Sequence, residues 1–309
     1  MSSNNLIKKI FESQIDVKVN SIHPFEITNN CVYRVETKFK PYIFKIFNYN
    51  YWPENGKLLF INQKLNENNI PAAKIFVFSR DNEDFPNGYL IEECLPGTTA
   101  DKLALSVDEN ITLFEKIAVL TSKVHQIKIT NYGHINSGIA EWTSFSEYMH
   151  DGLNYYAINL VKNNLIDASD FEIIKEELKQ RLKPCDKIPP VLCHYDIRPK
   201  NVLVNLSDIT FIDWDEARSL CWMADVAFFT LWAKIEYGDD LANIYRKAFL
   251  DKYETEYDKA IFYELEDILH VRHCLDFLTF FAGKPQYENT KMILKKLINK
   301  YKFQGIKCL

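Results

Sequence analysis

The run Cys193-His-Tyr-Asp-Ile-Arg-Pro-Lys-Asn-Val-Leu-Val204, followed by Phe211-Ile-Asp-Trp-Asp-Glu216, decides how this chain is read. Three polar groups, Asp196, Asn201 and Asp213, stand beside apolar runs at 191–193, 202–204 and 210–212. Those runs are too short for helices and close enough together to predict a small hairpin sheet. The five-residue step from Asp196 to Asn201 suits a compact loop, and a hairpin strand would return Asp213 beside it. Phosphoryl transfer needs a carboxylate near the acceptor hydroxyl and oxygen ligands that hold Mg²⁺ against the phosphates, because positioning and charge neutralisation supply most of the catalysis. These three residues provide such a set.

Upstream, strands are predicted over 31–35, 42–47, 73–78 and 88–92, each rich in β-branched or aromatic residues and flanked by Asn, Pro or Gly. A helix over about residues 54–68 interrupts them. Leu6, Ile7, Ile10 and Phe11 form a helical stripe, without the continuous apolar core of a signal peptide. Leu90-Ile-Glu-Glu-Cys-Leu-Pro-Gly97 runs from a strand into a Pro-Gly breaker. Beyond it, Ile111, Phe114, Ile117, Ala118, Thr121, Val124 and His125 trace one helix face. Ser169 to Glu172 reads as a capping box for a helix through Ile173, Ile174, Leu178 and Leu182, which Pro184, Pro189 and Pro190 end. Helices resume near Met223. The division is an N-terminal lobe over 1–92, a hinge at 93–97 and a C-terminal lobe over 98–309. The expected class is α+β, an antiparallel sheet with one helix followed by a mainly helical lobe.

The spacing HxDxxxxN at His194 to Asn201, with Ile-Asp-Trp-Asp at 212–215, resembles the protein-kinase-like fold and, within it, the aminoglycoside phosphotransferase and choline kinase group. The resemblance covers about residues 17–235 and implies a two-lobed kinase. It makes Asp196 the catalytic base, Asn201 and Asp213 the Mg²⁺ ligands, His194 a brace for the loop and Asp225 its structural anchor. Lys45, alone in the apolar strand Tyr-Ile-Phe-Lys-Ile-Phe, resembles the lysine that grips nucleotide phosphates. Residues 90–97 resemble the hinge, where the Glu92 carbonyl and the Cys94 amide would receive the base. Val124-His125 resembles a Leu-His pair and is assigned to core packing. The chain also departs from the group: Tyr195, Arg198 and Lys200 stand where it has Gly, His and Gly. For Arg198 the two readings are stabilisation of charge on the transferred phosphate and pairing with a local carboxylate. The phosphate-covering loop falls at 27–33, which has no glycine, and Thr28-Asn29 resembles a Ser/Thr-Asn turn that faces phosphates. A helix glutamate for Lys45 is expected where Leu58 and Leu59 stand, leaving Glu54 as the nearest candidate.

Composition narrows the alternatives. Of the 309 residues 47% are hydrophobic and 26% charged, which excludes disorder and fibres. None of the nine glycines builds GxGxxG or a Walker loop, which disfavours Rossmann and P-loop readings. A net charge of -5 gives no footprint for nucleic acid, and the longest apolar run, at 226–233, is too short to span a membrane. Seven scattered cysteines without CxxC read as reduced thiols, so a cytoplasmic setting is expected. His270 and His273, one helical turn apart, form a candidate metal pair without a third ligand. Glu264, Glu266, Asp267 and Asp276 are candidates for binding ammonium groups, against a solvated helix face. Trp214 and Trp222 are candidates for a cation-binding wall, against core, and Asp215 and Glu216 for the acceptor mouth.

The expected activity is Mg²⁺-dependent transfer of the γ-phosphate of ATP or GTP to a hydroxyl of a small, cationic acceptor, by a monomer or homodimer. An aminoglycoside antibiotic competes with a metabolite of choline, homoserine or sugar type. The glycine-free loop and the unplaced glutamate motivate a rival, a pseudokinase that binds nucleotide or a partner without transfer. No APE-type segment or long activation loop follows Asp213, which disfavours a protein kinase.

Overall fold

The computed structural model describes residues 3–25, 30–80, 82–301 and 303. In chain order its elements are α1 (Ser3–Ile15), β1 (Val19–Pro24), β2 (Cys31–Thr37), β3 (Tyr42–Ile46), α2 (Lys57–Glu67), β4 (Ile75–Ser79), β5 (Tyr89–Glu93), β6 (Thr98–Thr99), α3 (Val107–Val124), β7 (Gly133–His134), α4 (Phe145–Lys162), α5 (Ala168–Arg181), β8 (Val191–Cys193), β9 (Val202–Asn205), β10 (Asp208–Phe211), β11 (Arg218–Leu220), α6 (Trp222–Lys252), α7 (Ala260–Phe280) and α8 (Gln286–Tyr301). The chain separates into two compact units. The first holds residues 1–102, 135–138 and 200–216, and the second the remainder. The first unit therefore runs past the expected boundary and takes in the β9–β10 hairpin.

In the first unit a five-stranded antiparallel sheet has the order β1-β2-β3-β5-β4. Strand residues alternate between faces. Tyr42, Phe44 and Ile46 pack with Ile7, Ile10 and Phe11 of α1, together with Val35, Tyr89 and Ile91. The N-terminal stripe thus covers one face of the sheet, and the same alternation turns Lys45 to the other. There, α2 starts after Gly56, which adopts φ 75°, and its buried side includes Leu58, Ile61 and Leu65. A second sheet, β10-β9-β6, closes on Gly97. At φ 127° a side chain on Gly97 would come within 2.5 Å of the Val204 carbonyl oxygen, so this turn requires glycine.

The second unit is mainly helical, with α3 and α7 packed on α6, α4 on α5 and α7, and α8 on α7. Its one sheet among the described residues, β7-β11-β8, leads into the chemically suggestive loop. Ser106 and Glu109 form a capping box that starts α3 one turn earlier than its apolar stripe suggests. The box expected at Ser169 is not formed. Asp167 caps α5 instead, accepting from the Ser169 amide at 2.9 Å, so Ser169 lies inside the helix. The α6 span is interrupted at Gly238, whose φ 74° and ψ 169° are non-helical. Among the described residues no helix is long and apolar enough to cross a membrane.

Candidate active site

In the second unit, β8 ends at Cys193 and the chain turns sharply through His194, Tyr195 and Asp196. Two backbone donors point at one buried carboxylate: the His194 amide donates to Asp225 Oδ2 at 2.9 Å and the Tyr195 amide to Oδ1 at 2.8 Å. His125 Nε2 lies 3.1 Å from Asp225 Oδ2, while its Nδ1 is 2.7 Å from the Tyr253 hydroxyl. Asp225 thus fastens the start of α6 to the loop, and His194 Nδ1 receives the Asp196 amide at 3.3 Å. Tyr195 takes φ 59°, a conformation unfavourable for a side chain. Packing offsets that strain. The Tyr195 ring lies against Phe228 and His273, Arg218 stacks on it at 4.3 Å, and its hydroxyl reaches His273 Nδ1 at 3.3 Å. Past the turn, Arg198 clasps Asp196 through Nε–Oδ1 at 2.5 Å and Nη2–Oδ2 at 2.7 Å. Arg198 therefore pairs with a local carboxylate, that of Asp196.

In the first unit, β9 and β10 pair with Val202 opposite Phe211, and the Ile212 amide donates to the Asn201 carbonyl at 3.0 Å. This hairpin sets Asn201 beside the segment carrying Asp213, as the spacing implied. Lys45 Nζ lies 2.7 Å from Asp213 Oδ1 and 2.7 Å from Asp215 Oδ2. Burial draws the Lys45 ammonium down, but the two carboxylates outweigh it and hold its pKa above the ordinary lysine value. Asp215 also accepts from Asn30 Nδ2 at 2.8 Å. Its carboxyl is pushed up, because burial and the like charge of Asp213 exceed the pull of Lys45. A pocket bounded by Lys45, Leu58, Ile61, Glu92, Phe211 and Asp213 opens beside this cluster. Glu92 makes no ion pair with any described side chain, and burial, opposed by Lys45 and reinforced by Asp215 and Asp213, pushes its carboxyl up to about 7.

A profile of the phosphotransferase enzyme family matches residues 22–263. The chain belongs to that family. No curated protein matches it. Among solved structures it is similar to a thermostable mutant of aminoglycoside phosphotransferase APH(4)-Ia in ternary complex with AMP-PNP and hygromycin B. That pair has a TM-score of 0.73 and 14% identity over 95% of this chain and 97% of the other. Spectinomycin phosphotransferase APH(9)-Ia, in complex with ADP and spectinomycin, gives 0.60 and 16% over 94% and 93%. A Plasmodium vivax ethanolamine kinase gives 0.61 and 19% over 90% and 81%. At these identities the likeness is one of fold. The protein-kinase-like architecture read from the motifs is therefore established, and with family membership so is the enzyme class, a phosphotransferase.

Within this phosphotransferase several expectations are revised. Glu54 does not reach Lys45; it lies 2.9 Å from Lys57 Nζ. Asp215 is buried on Lys45 instead of standing at an acceptor mouth, a placement that strand periodicity could not reveal because residues 214–216 form a short 3₁₀ turn. Three of the four acids considered for ammonium binding are engaged internally: Glu266 with Arg246, Asp267 with Lys300, and Asp276 with Arg272. His270 and His273 each have a protein partner. His270 Nε2 meets the Thr230 hydroxyl at 2.9 Å, and His273 Nε2 donates to the Ala224 carbonyl at 2.9 Å. Trp214 donates to the Phe211 carbonyl, and Trp222 stacks on Tyr253, so both are core. Cys94, just past β5, receives Arg34 Nη1 at 3.6 Å. Thr28 and Asn29 lie outside the described residues. The side chain of Glu92, taken from sequence only as a backbone contact, was missed as a pocket group; an acid in the otherwise apolar run Tyr89-Leu-Ile was the available signal.

The residues fit Mg²⁺. Asn201 and Asp213 supply hard oxygen donors, the Asp213 side chain is 43% exposed and able to reach a ligand, and among the described residues Asp215 Oδ1 is buried without a hydrogen-bond donor.

Proposed function

We propose that this phosphotransferase is a small-molecule kinase that moves the γ-phosphate of a nucleoside triphosphate to an acceptor hydroxyl. The observation that carries the reading is the contact of Lys45 with Asp213 at 2.7 Å, on a hairpin that also holds Asn201. A phosphate-gripping cation and a pair of metal-ligand oxygens then belong to one site. Lys45 would hold the donor phosphates, with the backbone of Glu92 and Cys94 receiving the base and Thr28-Asn29 facing the phosphates. Asn201 and Asp213 would hold Mg²⁺, which when bound neutralises phosphate charge. Asp196 would orient the acceptor hydroxyl and accept its proton, with Arg198 fixing the carboxylate and screening the incoming phosphate. ATP is the first donor to test, since relatives of this fold are named as complexes with AMP-PNP and ADP.

For the acceptor, hygromycin B, spectinomycin and ethanolamine in the names of the relatives favour an amine-bearing hydroxyl compound. That reading rests on the relatives and not on the acids of α7, of which Glu266, Asp267 and Asp276 have internal partners. A cytoplasmic setting suits ATP as donor and the free thiols among the described cysteines. Incubation with Mg²⁺–ATP or Mg²⁺–GTP and a panel of aminoglycosides, ethanolamine, choline and sugars, read by mass spectrometry of each acceptor, tests the assignment. A mass gain of one phosphate on one acceptor class supports it. Label appearing in protein alone, or nucleotide binding without any transfer, favours the protein-kinase or pseudokinase alternative.

A further inference from the structure

Lys57, the first residue of α2, is fully buried. A buried ammonium costs several kcal/mol unless it is well paired, and the N-terminal end of a helix is itself unfavourable for a cation. Something must justify keeping one there. Its Nζ donates to Glu54 Oε2 at 2.9 Å and to the backbone carbonyl of Asp215 at 2.6 Å, and it sits 4.1 Å from the centre of the Trp52 ring. Asp215 is consequently held from two sides, by Lys57 at its carbonyl and by Lys45 and Asn30 at its carboxylate.

The two acids on Lys45 are unequal. The Asp213 side chain is 43% exposed, whereas that of Asp215 is 9% exposed. Incoming phosphates can displace the exposed Asp213 from Lys45, leaving the buried Asp215 in place to keep the ammonium aimed. Meanwhile α2 presents Leu58 and Ile61 to the pocket where a glutamate was expected.

We infer that Asp215 is the standing carboxylate partner of Lys45 and that Lys57 is a positioning residue for nucleotide binding, tying Asp215 to α2. The inference rests on the reading that this unit holds the nucleotide. In this arrangement the helix controls the lysine through its own cation and a backbone carbonyl, in place of a direct helix-glutamate pair. The absent glutamate then no longer argues for a silent kinase.

A double-mutant cycle on the full chain tests it, using a fluorescent ATP analogue in Mg²⁺ and reading both Kd and stoichiometry. Lys57→Met should raise Kd about tenfold at full stoichiometry, Asp215→Asn should do at least as much, and the double variant should add less than about twofold to Asp215→Asn alone. A purely structural lysine would lower the stoichiometry and leave Kd unchanged, which overturns the inference. Full additivity overturns it too. Glu54→Gln, which keeps Lys57 but removes its counter-charge, should show a smaller effect of the same sign and the same non-additivity, and serves if Lys57→Met does not fold. Wild-type protein that binds no Mg²⁺–ATP overturns the nucleotide reading together with this inference; normal wild-type binding with an unaltered Kd in the variants overturns this inference alone.

Discussion

The guanidinium of Arg198 grips both oxygens of the Asp196 carboxylate, at 2.5 and 2.7 Å, while stacking 5.5 Å from the Phe280 ring centre. A guanidinium that donates from Nη2 to one carboxylate oxygen and lies in ion-pair contact with the other fixes the orientation of a carboxylate as well as its charge. Arg198→Ala should therefore lower kcat by about 10- to 100-fold, and Arg198→Lys, which keeps the charge but loses the guanidinium, by less. Steady-state rates across acceptor concentrations check this; equal losses in Ala and Lys would point to geometry alone.

Asp225 receives the His194 and Tyr195 amides and faces His125 Nε2, with no exposure to solvent. An asparagine offers one oxygen and turns an NH₂ group toward existing donors. Asp225→Asn should cost about 2–4 kcal/mol of stability, measured by urea unfolding, together with a loss of transfer as the loop is released.

Glu92 carries a carboxyl with a pKa of about 7 in the folded chain, above its ordinary unfolded value near 4.3. The folded state then binds more protons between those values, so this group stabilises at low pH and its contribution is lost as pH rises through about 7. Glu92→Gln removes that dependence. With solvent access to the pocket discounted, the variant should be more stable than wild type at pH 8 by about 1–2 kcal/mol and show no such gain at pH 5. Thermal melts at the two pH values decide it.

Asp213 is the exposed acid on Lys45 and a ligand candidate for Mg²⁺. Chelation of Mg²⁺ should weaken ATP binding by wild type about tenfold or more, while Asp213→Asn should bind ATP weakly with or without the metal. Calorimetric titration in Mg²⁺ and in EDTA separates these cases.

Much of this was legible because local pattern and chemistry coincide in short stretches. The strand Tyr42-Ile-Phe-Lys-Ile announces a buried face and a lone cation in five residues, and both faces are found as alternation requires. The apolar runs at 202–204 and 210–212 are close enough in sequence to pair, and the hairpin β9–β10 sets Asn201 beside the segment carrying Asp213. What sequence did not show depends on distant partners. β1, with the sequence Val-Asn-Ser-Ile-His-Pro, is too polar to read as a strand, and pairing with β2 makes it one. α4, with Gly152 in its interior, lacks a clean apolar stripe. β7 and β11 are two and three residues long and exist through the pairing of Arg218 with His134 and Cys193. Asp215 sits 170 positions from Lys45, and nothing in local periodicity distinguishes it from Glu216.

On the proposed function, Asp196 drives transfer from a nucleotide whose binding does not depend on it. The rate of Mg²⁺-dependent phosphate transfer by wild type and Asp196→Asn, with nucleotide Kd measured on the same samples, tests that most directly. The expected result is a rate loss of about 10²- to 10⁴-fold with Kd changed by less than about threefold. Transfer that survives in Asp196→Asn at a comparable rate would contradict it.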